Sequence, residues 1–310
     1  MFDDYFYGMA EKASVVVLCY NGMKYLDGCL KTLKKQTYQN CEVIVVDNNS
    51  SDGSADYVKK NYPWVIVIET GKNLGFSGGN NVGIKHALAN GAEYIILLNQ
   101  DTEVEENFIE EGVKCLKGDG VGACCPKIKF YGTNMIWCAG AHEIESGNKK
   151  FSRMSLLTRS MNDLIINRGY CEVDNGQYNK EEEISDFNGC APFINRKVFE
   201  DVGFLDDRFF MYYEDIDFGV RILKKGYRII YFPSTTVYHK TPLPWNTISS
   251  GYLDPKRFKY FVVSWLKFLK KHFGTVFAIL YIPKLLTVDI INIAWADMKF
   301  RSKKALVVNE

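Results

Sequence analysis

Tyr94-Ile95-Ile96-Leu97-Leu98-Asn99-Gln100-Asp101-Thr102 is the stretch that decides the fold of this chain. Five apolar or aromatic residues run into a polar end. A continuous apolar run of this length suits a strand buried on both faces, and its C-terminal tip would carry the Asp101 carboxylate. In open α/β sheets ligands collect at the carboxyl ends of the strands. A carboxylate placed there can hold a divalent cation against a phosphate-bearing substrate. Taken alone, the stretch also reads as a strand ending in a turn rich in Asn and Asp.

The neighbouring sequence repeats the pattern. Ser14 to Tyr20 is a β-branched apolar run turned by Asn21-Gly22, and Leu26, Cys29, Leu30 and Leu33 follow at helical spacing. Cys41 to Asp47 is a second strand with a terminal carboxylate. Asn48 to Ser54 is a polar loop whose Asp52 or Ser54 can cap a helix over Ala55 to Asn61. Trp64 to Ile68 is a third strand, followed by a glycine-rich loop over Gly71 to Asn81 and a helix to about Ala89. The order β-α-β-α-β-α-β implies a mostly parallel, Rossmann-like α/β sheet. Beyond it, Val121 to Phe130 reads as a strand and residues 131–185 as an elaborated region of short strands and loops. Helices are expected over Val198 to Val202 and Glu214 to Lys225, and a strand over Tyr227 to Phe232.

With 310 residues, 47% of them hydrophobic, the chain can bury a sizeable core. A net charge of +1 gives no case for nucleic acid as a partner. The charge is uneven: residues 251–310 hold 11 Lys and Arg against 4 Asp and Glu, leaving 27 against 33 in the rest. Nine scattered cysteines without a C-x-x-C pair suit a reduced, cytoplasmic protein. Met1 to Tyr7 lacks the basic and apolar pattern of a signal peptide. The tail from Pro255 to Lys299 mixes Phe, Trp and Leu with Lys. Pro283, Lys284 and Asp289 interrupt its longest apolar run, so a helix lying in the membrane interface fits better than a span, with packing on the body as the alternative.

Four features point to chemistry. Asp47 and Asp101 end two strands of one sheet. The glycines of the Gly71–Asn81 loop allow close backbone approach, and its N–H groups with the following helix start favour an anion such as a diphosphate. Glu214, Asp215 and Asp217 gather at a helix start, which the macrodipole favours. Phe209 to Tyr213 precedes them as an aromatic platform. Arg221, four residues after Asp217, suggests a structural pair, leaving Asp215 as a candidate general base.

Val15 to Asn21, Val45 to Ser54, Asn73 to Gly83, Leu98 to Asp101 and Phe210 to Asp217, in this order and spacing, resemble glycosyltransferase family 2, in particular its bacterial rhamnosyltransferase-like branch. The resemblance implies a GT-A fold over residues 13–240, with a nucleotide-sugar half at 13–102 and an acceptor half at 103–240, followed by the basic helical tail at 251–310. It implies inverting transfer from a nucleoside-diphosphate sugar (dTDP-, UDP- or GDP-linked) to a glycan or lipid-linked acceptor, assisted by Mg²⁺ or Mn²⁺. On that template Asp215 is the base, and Asp101 and His239 are metal contacts. Tyr20, Asn21, Asp47, Asn73, Gly78, Gly79, Asn80, Asn99, Gln100, Asn188, Gly189 and Glu214 line the substrates. The position of the first metal-motif acid holds Asn99, and Thr241-Pro-Leu-Pro-Trp245 departs from the small, glycine-rich pattern expected after His239. The expected location is the inner face of the cell membrane, with peripheral contact through 255–300.

Two other functions share parts of this pattern. A sugar-phosphate nucleotidyltransferase needs a basic glycine-rich loop directly after the first strand, where this chain has Tyr20-Asn21-Gly22. An inactive sugar-binding scaffold would keep the fold without needing Asp101 and Asp215.

Overall fold

The structure, a computed structural model, describes residues 10–140, 168–241 and 255–289. The expectations placed on Met1 to Tyr7, on the middle of the 131–185 region, on Pro242 to Trp245 and on the tail beyond 289 lie outside the described residues.

The first half follows the periodicity of the sequence. Strands β1 (Ala13–Cys19), β2 (Cys41–Asp47), β3 (Ile66–Glu69) and β4 (Tyr94–Asn99) alternate with helices α1 (Met23–Leu33), α2 (Ser54–Asn61) and α3 (Gly75–Ala89). The strands pair in parallel in the order β3-β2-β1-β4. β4 is buried through Leu98 and emerges at Asn99, as its apolar run requires. Each fully buried Val, Leu or Ile of such a strand contributes about 1.5–3 kcal/mol.

The second half extends the same sheet. After β5 (Thr102–Val104) and α4 (Phe108–Leu116) come β6 (Val121–Phe130), β7 (Ile136–Cys138), β8 (Glu182–Glu183), β9 (Phe193–Asn195), α5 (Arg196–Val202), α6 (Glu214–Lys224) and β10 (Arg228–His239). The order continues β4-β9-β6-β10-β5, with β7 on β6 and β8 on β10. Strand β9 is antiparallel to both β4 and β6, and β10 is parallel to β6. β10 therefore runs in the direction of β4, and its C-terminal His239 emerges on the same edge as Asn99. The strand expected over Tyr227 to Phe232 in fact continues to His239, carried past register shifts by pairing with β6 and β5.

One expectation needs correction. The stretch Gly71 to Asn81 is a loop only to Leu74, and Gly78, Gly79 and Asn80 lie inside α3. The glycines let this helix press onto the sheet: a Cβ on Gly83 would stand 2.4 Å from a Val16 methyl and 2.9 Å from one of Val46. In the tail, packing on the body, the alternative expected, is seen for one face. Helix α7 (Pro255–Phe273) buries Phe261, Trp265, Phe268 and Leu269 against Phe209, Tyr213 and Val220 of the body and against α8 (Thr275–Lys284). One face of the tail is thus core, while Val276, Ile279 and Leu280 of α8 are exposed. Among the described residues no helix is long and apolar enough to cross a membrane.

Candidate active site

The tips of β1, β2 and β4 are laced into one surface. The Gln100 side chain bonds both backbone groups of Tyr20: Oε1 accepts from its N–H at 3.0 Å and Nε2 donates to its carbonyl at 3.2 Å. Asn21, with φ of 49°, accepts from Ser51 N–H through Oδ1 at 2.9 Å and donates its own N–H to Ser50 Oγ. Ser50 N–H in turn donates to Asp47 Oδ2 at 3.0 Å. Asp47 is buried, yet its Oδ1 has no hydrogen-bond partner among the described residues. A buried acceptor left open costs desolvation energy, so it marks a place where a ligand hydroxyl or N–H would be welcome.

On the same edge, His239 Nε2 stands 3.2 Å from Asp101 Oδ1, and Lys240 N–H donates to the Asp101 carbonyl at 2.8 Å. The Trp137 ring meets the buried His239 ring edge-on at 4.6 Å. Burial pushes the Asp101 carboxyl upward, but the His239 hydrogen bond and charge, helped by Lys240, leave it below the ordinary carboxylate range. Asp101 is therefore a fixed negative charge at neutral pH.

Backbone bonds tie the end of β4 to the turn that holds the acids of α6. Asn99 N–H donates to the Cys190 carbonyl, and next to it Gly189 N–H donates to Asp215 Oδ2 at 2.9 Å. Asn188 shapes this turn by accepting from Cys190 N–H. The Ile216 N–H donates to Asp215 Oδ1. These N–H groups favour the carboxylate, but burial dominates and pushes Asp215 up to about 6. Glu214 is pushed well above its ordinary value by burial and by the neighbouring Asp215 charge, and its buried Oε2 lacks a hydrogen-bond partner among the described residues. Asp217 plays a different part. Burial pushes it upward, but hydrogen bonds from His272 and Lys271 and the charge of Arg221 leave it below the ordinary range, as a structural ion-pair hub.

The acids follow a turn in which Tyr212 and Tyr213 both have positive φ, 70° and 69°. That conformation costs a non-glycine residue about 1–2 kcal/mol. The aromatic run before the acids is largely core: Phe209 and Tyr213 are buried, and Phe210 stacks on Tyr260 of α7 with ring centroids 5.0 Å apart.

The structure thus brings together Tyr20, Asn21, Asp47 and Gln100; Asn99, Asp101 and His239; and Asn188, Gly189, Glu214 and Asp215. It buries Gly79 and Asn80, half-buries Gly78 and leaves Asn73 exposed at the end of the loop. Asn73 Oδ1 accepts from Gly75 N–H and Asn48 Nδ2, and Asn80 Nδ2 donates to the Phe76 carbonyl of its own helix. The N–H groups of Leu74 and Phe76 are taken by Asn48 Oδ1 and the Phe210 carbonyl. The N–H groups of Leu74, Gly75 and Phe76 at the start of α3 thus already have acceptors within the protein. Trp137 and Asn48 carried no sequence signal for their places beside His239 and under α3; both follow from contacts between distant segments.

Comparisons with known proteins identify the family. Residues 14–203 match the family described as Glycosyl transferase family 2, and residues 182–296 match Glycosyl transferase family group 2. A dTDP-rhamnosyl transferase of Shigella flexneri is 28% identical over 74% of this chain and 70% of its own length. An N-acetylglucosaminyl-diphospho-decaprenol L-rhamnosyltransferase of Mycobacterium tuberculosis is 26% identical over 74% of this chain and 76% of its own. The crystal structure of GalNAc-T7 with UDP, GalNAc and Mn²⁺ superposes with a TM-score of 0.54 at 17% identity, covering 74% of this chain; this chain spans 44% of that one. The likeness to that structure is one of fold.

Proposed function

This chain belongs to glycosyl transferase family 2 and is a glycosyltransferase with the GT-A fold, and from that premise we propose that it moves a sugar, rhamnose first among candidates, from a nucleoside-diphosphate donor to a hydroxyl of a glycan or lipid-linked acceptor. The observation that carries the proposal is that the end of β4, which bears Asp101 beside His239, is bonded through Asn99 to Cys190, the neighbour of the Gly189 that holds Asp215. This supports a reading in which Asp101, after β4, and Asp215, at the head of α6, serve one site.

Asp215 takes the proton of the acceptor hydroxyl while that oxygen bonds the anomeric carbon from the face opposite the leaving group. The carbon–oxygen bond to the diphosphate breaks, its electron pair leaves with the nucleoside diphosphate, and the single displacement inverts the centre. A pKa pushed up to about 6 by burial suits this task, since the group is largely ionised at neutral pH yet more basic than an ordinary carboxylate. Asp47, Asn21 and Tyr20 receive the nucleoside at the tips of β1 and β2.

The donor chemistry of Asp101 and His239 fits a divalent cation: one carboxylate and one imidazole nitrogen at 3.2 Å. Among the described residues no group of three His, Cys, Asp or Glu gathers to hold a metal, so diphosphate oxygens would complete the shell. Mg²⁺ or Mn²⁺ held there would neutralise charge growing on the leaving diphosphate. The similar GalNAc-T7 structure contains Mn²⁺, which supports the same choice here. The exposed Val276, Ile279 and Leu280 support a peripheral place on the inner membrane face, beside a lipid-linked acceptor.

A thermal-shift screen of dTDP, UDP and GDP with and without Mn²⁺ tests the donor half, because a bound nucleotide raises the melting temperature by mass action. The expected result is a shift with dTDP that grows with Mn²⁺, followed by turnover of dTDP-rhamnose. No shift with any nucleotide would overturn the proposal.

A further inference from the structure

The segment that carries Asp215 is gripped from two sides. On the sheet side, the first turn of α3 holds it: Phe76 N–H donates to the Phe210 carbonyl at 2.7 Å and Ser77 Oγ to the Phe209 carbonyl at 2.7 Å. On the other side stands α7. Ser264 Oγ, buried, donates to the Met211 carbonyl at 2.8 Å, directly before the two left-handed tyrosines. Lys267 Nζ donates to the Arg208 carbonyl. Lys271 Nζ bridges Asp206 and Asp217, and His272 Nε2 stands 2.8 Å from Asp217 Oδ1, two residues after Asp215. The Tyr213 ring lies on Phe261, Trp265 and Phe268.

A left-handed pair of non-glycine residues persists only where its surroundings over-determine it. Here α7 supplies much of that restraint, to backbone carbonyls as well as side chains. We infer that α7 is a positioning element of the transfer site, with Ser264 and Asp217 as the positioning residues that hold the Tyr212-Tyr213 turn and so set the Asp215 carboxylate against Gly189. The inference rests on the base role proposed for Asp215. It gives the tail a task at the reacting centre that membrane attachment alone would not require. A helix that served only as core packing would need the apolar face of α7 but not hydroxyl and amine donors aimed at consecutive turns of the base-bearing segment.

Hydrogen–deuterium exchange and steady-state kinetics on the full chain, with Ser264→Ala and Ser264→Thr, test this. Loss of one buried hydrogen bond should speed exchange in a peptide covering 209–217 about fivefold to tenfold in Ser264→Ala. Exchange of 94–99 should not change. The turnover number should fall about tenfold to a hundredfold at unchanged donor affinity, as for a misplaced reacting group. Ser264→Thr, which keeps the hydroxyl, should recover most of both. Asp217→Asn should act in the same direction and more strongly. Unchanged exchange at 209–217, a rise spread equally over the sheet, or normal turnover despite local loosening would each overturn the inference. Local loosening in a chain that turns over no donor would instead leave the restraint standing and remove the transfer function.

Discussion

The tip of β4 and the head of α6 each present an aspartate, and the two stand in opposite electrostatic company. Asp101 meets an imidazole nitrogen at 3.2 Å and has Lys240 next in line, so its charge is welcome. Asp215 meets only backbone N–H donors while buried beside Glu214 and Asp186, so its charge is tolerated at a cost. Burial pushes both upward; the presence of a cationic partner decides which ends low. On the proposed function this divides two carboxylates, one to hold positive charge and one to take a proton, and environment rather than residue type makes the division.

Removing the proton acceptor should have the largest effect. Asp215→Asn is nearly isosteric and keeps an oxygen for the Gly189 N–H, so donor affinity should stay while transfer falls by about 10²–10⁴. Near-normal turnover in this variant would erase the division of labour. Next in size is Asp101→Asn. Loss of the fixed charge should raise the Mn²⁺ concentration for half-maximal activity about 10- to 100-fold, as for a weakened metal site. A chelator should abolish wild-type turnover, and an unaltered metal titration would leave Asp101 with a structural part alone.

Both aspartates were legible in the sequence because each sits at a local boundary. The run Tyr94 to Leu98 ends in polar residues, and the acids of α6 start a helix with clear apolar spacing. Strand β9 was not legible: three residues, Phe193–Asn195, become a strand only because β4 and β6 offer open edges on either side. Gly75, Gly78 and Gly79 read as loop because glycine ordinarily punctuates, whereas they lie in α3, where a Cβ on Gly79 would crowd Leu18 and Asn48. The pairing of Asp217 with Arg221 follows from spacing four apart, but its further bonds to Lys271 and His272 come from a helix more than fifty residues away. The basic, aromatic composition of α7 fits a membrane surface and a docked helix equally well; only the burial of Trp265 and Phe268 separates the two.

The same contrast should appear in stability. The folded-state pKa of Asp215, about 6, lies above its ordinary value of 3.8. A group raised in this way contributes stability that is complete below pH 3.8 and is lost as pH climbs through about 6. Wild type should therefore lose about 2–3 kcal/mol between pH 4 and pH 8 that Asp215→Asn does not lose. Relative to wild type, the variant's melting temperature should rise by a few degrees between pH 4 and pH 8, on top of a pH-independent cost for the Ile216 N–H that loses its acceptor. Asp101 works in the reverse sense: its lowered pKa contributes stability above the ordinary carboxylate range that disappears on acidification. Equal melting differences at both pH values would mean that Asp215 is not held against its charge.

The smallest effect belongs to the glycine turn, and it separates the strand tips from α3 as the place where the donor sits. A Cβ on Gly79 would meet a Leu18 methyl at 2.4 Å and Asn48 Nδ2 at 3.3 Å. The methyl is the free end of a flexible side chain and can swing away, while alanine gains about 1 kcal/mol of helix propensity over glycine. The two should nearly cancel, leaving the stability of Gly79→Ala within about 1 kcal/mol of wild type. Because the N–H groups of Leu74, Gly75 and Phe76 already have protein acceptors, nucleotide affinity should stay within about threefold, less than 1 kcal/mol. A loss of tenfold or more in dTDP binding, with the melting temperature unmoved, would return the diphosphate to the start of α3. The Asp101–His239 edge would then no longer be the sole holder of the donor's charge.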